Sequence, residues 1–139
     1  MNAASTWGEP PPITEEDIER LLARFYARVR GDDVLGPVFA QAVGVSEAEW
    51  APHMRRLESF WSSVMRGTGR YHGDPFSTHL KLPSIEPAMF DRWLGLFEAA
   101  CDETLQPGQR AAFVERAHRI ARSLRMGLFE RLPDRNGSS

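Results

Sequence analysis

The sequence predicts an all-α protein with a single domain. Apolar residues recur at helical spacing in four long segments, glycine and proline mark most of their ends, and no stretch alternates as a convincing strand would. With 139 residues and 42% hydrophobic content, the chain can bury one core but is too short for two. We expect the domain at residues 13–132, between a flexible arm at 1–12 and a flexible tail at 133–139.

The first helix is expected to begin after Thr14, which can cap it, and to end at Gly31. Its apolar stripe ends with Tyr26. A tyrosine at such a position is either a core residue whose hydroxyl reaches a nearby carbonyl or a hydrogen-bond donor inside an apolar pocket. The pattern of residues leaves both interpretations open.

Capping residues also mark the second and third helices. Asp33 can cap a short helix that carries Phe39 on its inner side, and Ser46 with Glu49 forms the capping-box pair of a longer helix that runs to about residue 66. Pro52 implies a break or a kink in the first turns of the longer helix. The inner stripe of that helix is expected to contain Trp50, His53 or Met54, Leu57, Phe60, Trp61 and Val64.

The position of His53 allows two interpretations. It lies four residues before Leu57 and therefore borders the apolar face of its helix. It is either a histidine at the margin of a helix, with one nitrogen in water, or a side chain that gates a pocket.

Two prolines mark the beginnings of the last two helices. Pro87 and Pro107 each suit the first position of a helix, where a backbone N–H is not needed. The helix after Pro87 carries Phe90 and Trp93 in its first two turns, and the final helix is expected to stop before Pro133. Four arginines of the final helix are predicted to form a solvated face: Arg116, Arg119, Arg122 and Arg125.

The connection between residues 67 and 86 holds the candidate metal ligand. It is long for a helical bundle and contains His72 and His79, the latter followed by the leucine pair Leu80 and Leu82. A single imidazole beside an aromatic wall is what a planar, mostly apolar haem with one iron requires. Because a lone histidine among apolar residues is more often a half-buried structural group, His79 alone does not decide between the two hypotheses.

Composition argues against several classes of function. The net charge of -2 and the lack of an unbroken basic run argue against a nucleic-acid surface. Cys101 is the only cysteine, so neither an intramolecular disulfide nor a thiolate metal cluster can form, which fits a cytoplasmic location. We find no secretory signal and no apolar run of the ~18 residues that a membrane span requires. Phosphate-binding loops, metalloprotease motifs, nucleophile elbows and inward-facing carboxylate pairs are absent as well.

Five short fragments follow one another in a definite order and spacing. They are FY at residues 25–26, LGPVF ending at Phe39, EW..H...L..FW from residue 49, HLKLP from His79 and WLGLFE from Trp93. In this order they resemble the truncated haemoglobins and look most like the third group of that family. The H-L-x-L-P segment, followed fourteen residues after its histidine by a tryptophan, separates this group from the other two. The resemblance covers residues 13–129.

The resemblance implies a globin-like two-over-two helical sandwich around a b-type haem. By matching position, His79 would be the proximal iron ligand and Phe39 would stack against the ring. The distal side would be lined by Tyr26, His53, Leu57 and Trp93. Leu82 and Phe90 would complete the haem contacts, and Arg56 would pair with a haem propionate, with Arg70 and Lys81 as substitutes.

The polar residues of this implied pocket favour redox chemistry over oxygen delivery. A phenol and an indole N–H, with His53 beside them, would stabilise a polarised dioxygen ligand more than carbon monoxide, so oxygen should leave slowly. Two such donors would slow release by about two orders of magnitude or more. We therefore expect a monomer that binds oxygen, nitric oxide and carbon monoxide, with nitric oxide dioxygenase or peroxidase-like activity fed by an unidentified reductase. The alternatives are a non-catalytic haem-based sensor or carrier and a haem-free helical interaction module.

Overall fold

The computed structural model describes residues 12–73 and 86–130, with side chains up to residue 128. Within these ranges the chain forms helices and no strand, as the apolar spacing predicted. The helices are α1 (Glu15–Arg30), α2 (Leu35–Ala42), α3 (Glu47–Arg66), α4 (Pro87–Thr104) and α5 (Pro107–Arg125), and a π-helical segment at Met126–Glu130 follows α5. The tail and nearly all of the arm predicted from the sequence lie outside the described residues, as do His79, Lys81 and Leu82.

The predicted capping boxes form at both long N-terminal helices. At the start of α1, the Thr14 hydroxyl accepts from the Asp17 N–H, and the Asp17 carboxylate accepts from the Thr14 N–H. Ser46 and Glu49 make the same reciprocal pair at the start of α3. Each box satisfies two of the backbone donors that a helix start leaves open, which is why these two boundaries could be predicted to the residue.

The start of α2 and the course of α3 at Pro52 differ from what the sequence predicted. The prediction that Asp33 caps α2 is wrong: the neighbouring Asp32 accepts from the backbone N–H groups of Val34 and Leu35 at 3.0 and 2.9 Å. Asp32 also receives the Arg92 guanidinium from α4, a tertiary contact that a local pattern cannot reveal. The break considered at Pro52 is not present, because α3 continues through this residue from Glu47 to Arg66.

Two helix pairs pack across one core. The pair α1 and α3 lies against the pair α4 and α5, with α1 packed most extensively on α4, and α2 closes one end beside α1. This is the two-over-two helical sandwich that the family resemblance implied. The apolar stripe of α1 is fully buried at its centre, and the core contains Ile18, Leu21, Leu22, Phe25, Val29, Phe97, Cys101 and Phe113 at 0% exposure.

Ion pairs connect α1 with α4 at the surface of the helical sandwich. Arg24 and Arg28 of α1 both donate to the Glu103 carboxylate at the end of α4.

None of the helices in the described part of the chain combines the length and apolar character that crossing a membrane requires.

Candidate functional site

Aromatic side chains from four helices converge around Tyr26. From the Tyr26 ring, the rings of Phe39 and Trp50 lie at 5.8 Å and that of His53 at 6.2 Å, centre to centre. Phe39 stacks on Trp50 with an angle of 27° between their planes. Residues on α1, α2 and α3 therefore form one cluster, and Trp93 of α4 joins it through Phe25, whose ring contacts those of both Tyr26 and Trp93.

The Tyr26 hydroxyl is the polar centre of this cluster. The Trp93 indole N–H lies beside it and favours its ionised form, and Tyr26 as a whole is only 5% exposed. Burial raises the pKa of Tyr26 far above its ordinary value, because a phenolate would lose its hydration, and the Trp93 N–H offsets only part of this effect. The phenol therefore stays protonated at neutral pH, and its proton is available to an acceptor.

A second layer of aromatic residues supports this pair. Phe25 lies edge-on to Tyr26 at 4.5 Å and to Trp93 at 5.1 Å. Trp93 stacks on Phe97 with planes 7° apart, and Phe97 stacks in turn on Trp61 with planes 18° apart. Phe25 and Phe97 are fully buried on their helices, and helical spacing alone does not connect either of them with the site.

Trp50 is held by contacts that the sequence analysis did not anticipate. Its indole N–H donates to the Gly44 carbonyl at 2.9 Å, and the Arg30 guanidinium lies 4.8 Å from its ring centre in a cation–π arrangement. Arg30 also donates to the Val45 carbonyl and pairs with Glu47. Arg30 thus binds the turn between α2 and α3 to the end of α1, and this fixes the ring that stacks on Phe39.

His53 turns toward the cluster. Its ring lies 5.2 Å from that of Trp50 at an angle of 83°, the Nε2 atom is buried, and the residue is half-buried as a whole. The continuity of α3 through Pro52 keeps His53 on the same helical face as Leu57, which packs on the core one turn later. His53 is thus placed at the edge of the cluster rather than in solvent.

The remaining candidates occupy different surroundings. Phe90 is buried on α4 at 7% exposure, whereas Arg56 is exposed on α3. Arg70 pairs with the Glu15 carboxylate at 3.0 Å, which leaves Arg56 as the stronger candidate of these two for a propionate. His72 is exposed, and His118 pairs with Glu98 at 2.7 Å on the other helix pair.

No self-contained metal cluster occurs in the described ranges. Among residues 12–73 and 86–128, no three histidine, cysteine, aspartate or glutamate side chains gather closely enough to hold an ion. The arrangement instead offers an aromatic surface with a phenol and an imidazole at its edge, which suits a planar cofactor that brings its own metal.

The chain is similar to known globins in both sequence and fold. Residues 14–126 match the family described as bacterial-like globin. The group 3 truncated hemoglobin ctb of Campylobacter jejuni is 37% identical over 109 residues, which cover 78% of this chain and 86% of that protein. The crystal structure of a group III truncated hemoglobin from Campylobacter jejuni matches with a TM-score of 0.82 at 35% identity, over 85% of this chain and 93% of the other.

Proposed function

This chain belongs to the bacterial-like globin family and, within it, to the group III truncated haemoglobins, and from that premise we propose that it holds a b-type haem through His79. The family makes it a haem-binding globin whose ligands are diatomic gases such as oxygen. We further propose that Tyr26 and Trp93 retain the gas ligand, and that the protein carries out nitric oxide or peroxide chemistry rather than oxygen delivery.

The described residues fit a haem in their chemistry. Phe39, Phe90 and Leu57 offer apolar surface for a ring, while Tyr26 and His53 offer the polar edge that a ligand pocket needs. Such a cofactor supplies an iron atom for ligand binding and electron exchange, so the residues have only to hold the cofactor and control what lies beside it. The haem-free interaction module is not retained, because it conflicts with the family.

The observation that carries the proposal is the buried Tyr26 hydroxyl with the Trp93 N–H beside it. Because burial keeps the phenol protonated, its hydroxyl proton can be donated to a ligand, and a donor as close as the Trp93 N–H would strengthen such a bond. We therefore expect the two residues to act together on one ligand. Dioxygen held by a haem would be more polarised than carbon monoxide, so a protonated phenol in an apolar site favours retention of oxygen.

Slow oxygen release favours chemistry over transport. One hydrogen bond to a group that carries charge contributes about 1.5–3 kcal/mol, which corresponds to about a tenfold to hundredfold slower dissociation. A protein that retains oxygen this firmly cannot deliver it efficiently, but it gives nitric oxide time to react. Repeated turnover would require a reductase as electron donor, and a sensor or carrier would need none.

The test compares turnover with ligand retention in one set of proteins. Wild-type protein, Tyr26→Phe and Trp93→Phe are supplied with excess reductant, and steady-state consumption of nitric oxide and of hydrogen peroxide is measured beside the oxygen dissociation rate. We expect the wild type to release oxygen slowly and to turn over at least one of these substrates faster than either variant. Turnover that is equal in all three proteins would leave the sensor or carrier as the better assignment.

A further inference from the structure

Three aromatic rings form a stack that begins at Trp93, whose indole N–H lies beside the Tyr26 hydroxyl. Trp93 and Phe97 lie 5.2 Å apart and nearly parallel at 7°, and Phe97 and Trp61 lie 5.3 Å apart at 18°. Phe25 closes the side of the stack, edge-on to both Trp93 and Phe97 at 5.1 Å. Phe97 has no exposed surface and follows Trp93 by one helical turn on α4.

The direction of the Trp93 N–H depends on the orientation of its ring. The indole N–H lies in the ring plane, and a hydrogen bond weakens steeply when its angle falls from above ~150° toward ~120°. Rotating the ring about its outer side-chain torsion therefore swings the N–H away from the Tyr26 oxygen. That torsion is broad in a tryptophan without neighbours, so packing must fix it. The parallel face of Phe97 and the edge of Phe25 are the contacts that do so.

We propose that Phe97 is a positioning residue for the gas ligand. Its ring, backed by Trp61, holds Trp93 at the orientation in which the indole N–H reaches Tyr26, and thereby sets how strongly the pocket prefers oxygen over carbon monoxide. This inference rests on the proposed function, because it assigns Phe97 an influence on the ligand through Trp93 and Tyr26. Phe97 itself touches neither the ligand nor the Tyr26 hydroxyl in this scheme.

Phe113 of α5 provides a matched control. It has 0% exposure like Phe97 and also packs on Trp61, at 5.7 Å and 41°. A Phe→Leu change at either position removes an aromatic ring from the same core and costs stability in a similar way. Only the change at Phe97 removes the ring that lies parallel to Trp93.

The experiment uses the haem-loaded protein and two independent measurements. Oxygen dissociation and carbon monoxide association are measured by stopped flow for wild type, Phe97→Leu and Phe113→Leu, and Phe97→Met serves if the leucine variant folds poorly. Hydrogen exchange of the Trp93 indole N–H is followed by NMR in the ferrous carbon monoxide form, with the Trp50 N–H as internal reference because it binds the Gly44 carbonyl.

We expect Phe97→Leu to raise the oxygen dissociation rate by about threefold to tenfold and to speed exchange of the Trp93 N–H, as losing part of one hydrogen bond predicts. Carbon monoxide association and Trp50 exchange should stay near their wild-type values, and Phe113→Leu should change oxygen release by less than about twofold. In a Trp93→Phe background, Phe97→Leu should add nothing, because the group that it positions is gone.

The outcomes separate this inference from the proposed function. If Trp93→Phe accelerates oxygen release and Phe97→Leu does not, Phe97 is only a packing residue. Equal acceleration by Phe97→Leu and Phe113→Leu, or a full effect of Phe97→Leu in the Trp93→Phe background, would overturn the positioning role as well. If neither Tyr26→Phe nor Trp93→Phe alters oxygen release, the proposed function itself fails.

Discussion

Asp32 joins three parts of the fold through a single oxygen atom. Its Oδ2 accepts from the Val34 and Leu35 N–H groups, which start α2, and from the Arg92 Nε of α4 at 2.7 Å. Only 9% of the Asp32 side chain is exposed, whereas 45% of Arg92 is. Replacing Asp32 should therefore weaken both the beginning of α2 and its attachment to α4.

The size of the effect follows from these contacts. Losing a helix cap costs about 1 kcal/mol, and losing a pair with a half-exposed arginine costs about 0.5–1 kcal/mol. We expect Asp32→Ala to reduce the free energy of unfolding by about 2 kcal/mol, and Asp32→Asn, which keeps a capping oxygen, by about 1 kcal/mol. For a domain of this size each kcal/mol lowers the melting temperature by about 3–5 °C.

The same carboxylate predicts a pH dependence. The Arg92 guanidinium, helped by the two backbone N–H groups, lowers the pKa of Asp32 from 3.8 to about 2. A group whose pKa is lowered by folding stabilises the folded state above its unfolded pKa and loses that contribution as the pH falls toward its folded pKa. The stability difference between wild type and Asp32→Asn should thus be complete above about pH 5, fall to about half at pH 3 and nearly vanish at about pH 2.

Urea unfolding of the haem-loaded proteins, followed by circular dichroism at equal haem content, measures these differences. Asp33→Ala is the control, because Asp33 is exposed and makes neither of the contacts that start α2. It should change the free energy of unfolding by less than about 0.5 kcal/mol. If Asp33→Ala is as destabilising as Asp32→Ala, the carboxylate contacts at Asp32 do not hold α2.

Three further predictions concern the haem pocket. Tyr26→Phe and Trp93→Phe should each raise the oxygen dissociation rate by about tenfold, with carbon monoxide association little changed. The double variant should differ from the sum of both by about 0.5 kcal/mol or more, because neighbouring residues that act on one ligand are coupled, and strictly additive stopped-flow data would contradict the coupling. His79→Gly should lose haem and the five-coordinate ferrous spectrum, with added imidazole restoring part of it, whereas an unchanged spectrum would assign the ligand to another histidine. Arg56→Gln should increase haem loss only a few-fold, since an exposed ion pair contributes about 0–1 kcal/mol, and a measured loss rate identical to wild type would remove the propionate pairing.

Features encoded by adjacent residues were predictable from the sequence, whereas those made by distant residues were not. The capping boxes of Thr14 and Ser46 require residues only three positions apart, so the pattern itself contains the interaction. By spacing alone either Asp32 or Asp33 can cap α2, and the Arg92 contact that accompanies Asp32 comes from sixty positions away.

The burial of two polar residues could not be predicted from the sequence either. Ser62 is fully buried because its hydroxyl donates to Glu15 at 2.7 Å, and Gln109 is 5% exposed because its amide donates to the Pro12 carbonyl and to Asp17. Neither residue type predicts burial, so only the tertiary partners explain their positions.

At the candidate site, too, the sequence indicated the positions of single residues but not the contacts between helices. The helical spacing placed Tyr26 and Trp93 on the inner faces of their helices, and the family resemblance assigned both to one pocket. The approach of the Trp93 N–H to the Tyr26 hydroxyl depends on how α1 crosses α4. A sequence pattern states which face a residue occupies, but it does not state the angle between two packed helices.

The packing of α1 on α4 also governs when the chain can fold during synthesis. The contacts that join these helices span most of the sequence: Arg24 meets Glu103 across 79 positions, and Arg20 meets the Thr104 carbonyl across 84. While the ribosome is still translating the residues before α4, the apolar stripe of α1 can be covered only in part, by α2 and α3. Contacts of such long range form slowly and leave apolar surface open to association in the meantime. The nascent chain therefore cannot complete its native core before α4 and the Phe113 segment of α5 have been made, and until then the apolar stripe of α1 is left partly uncovered.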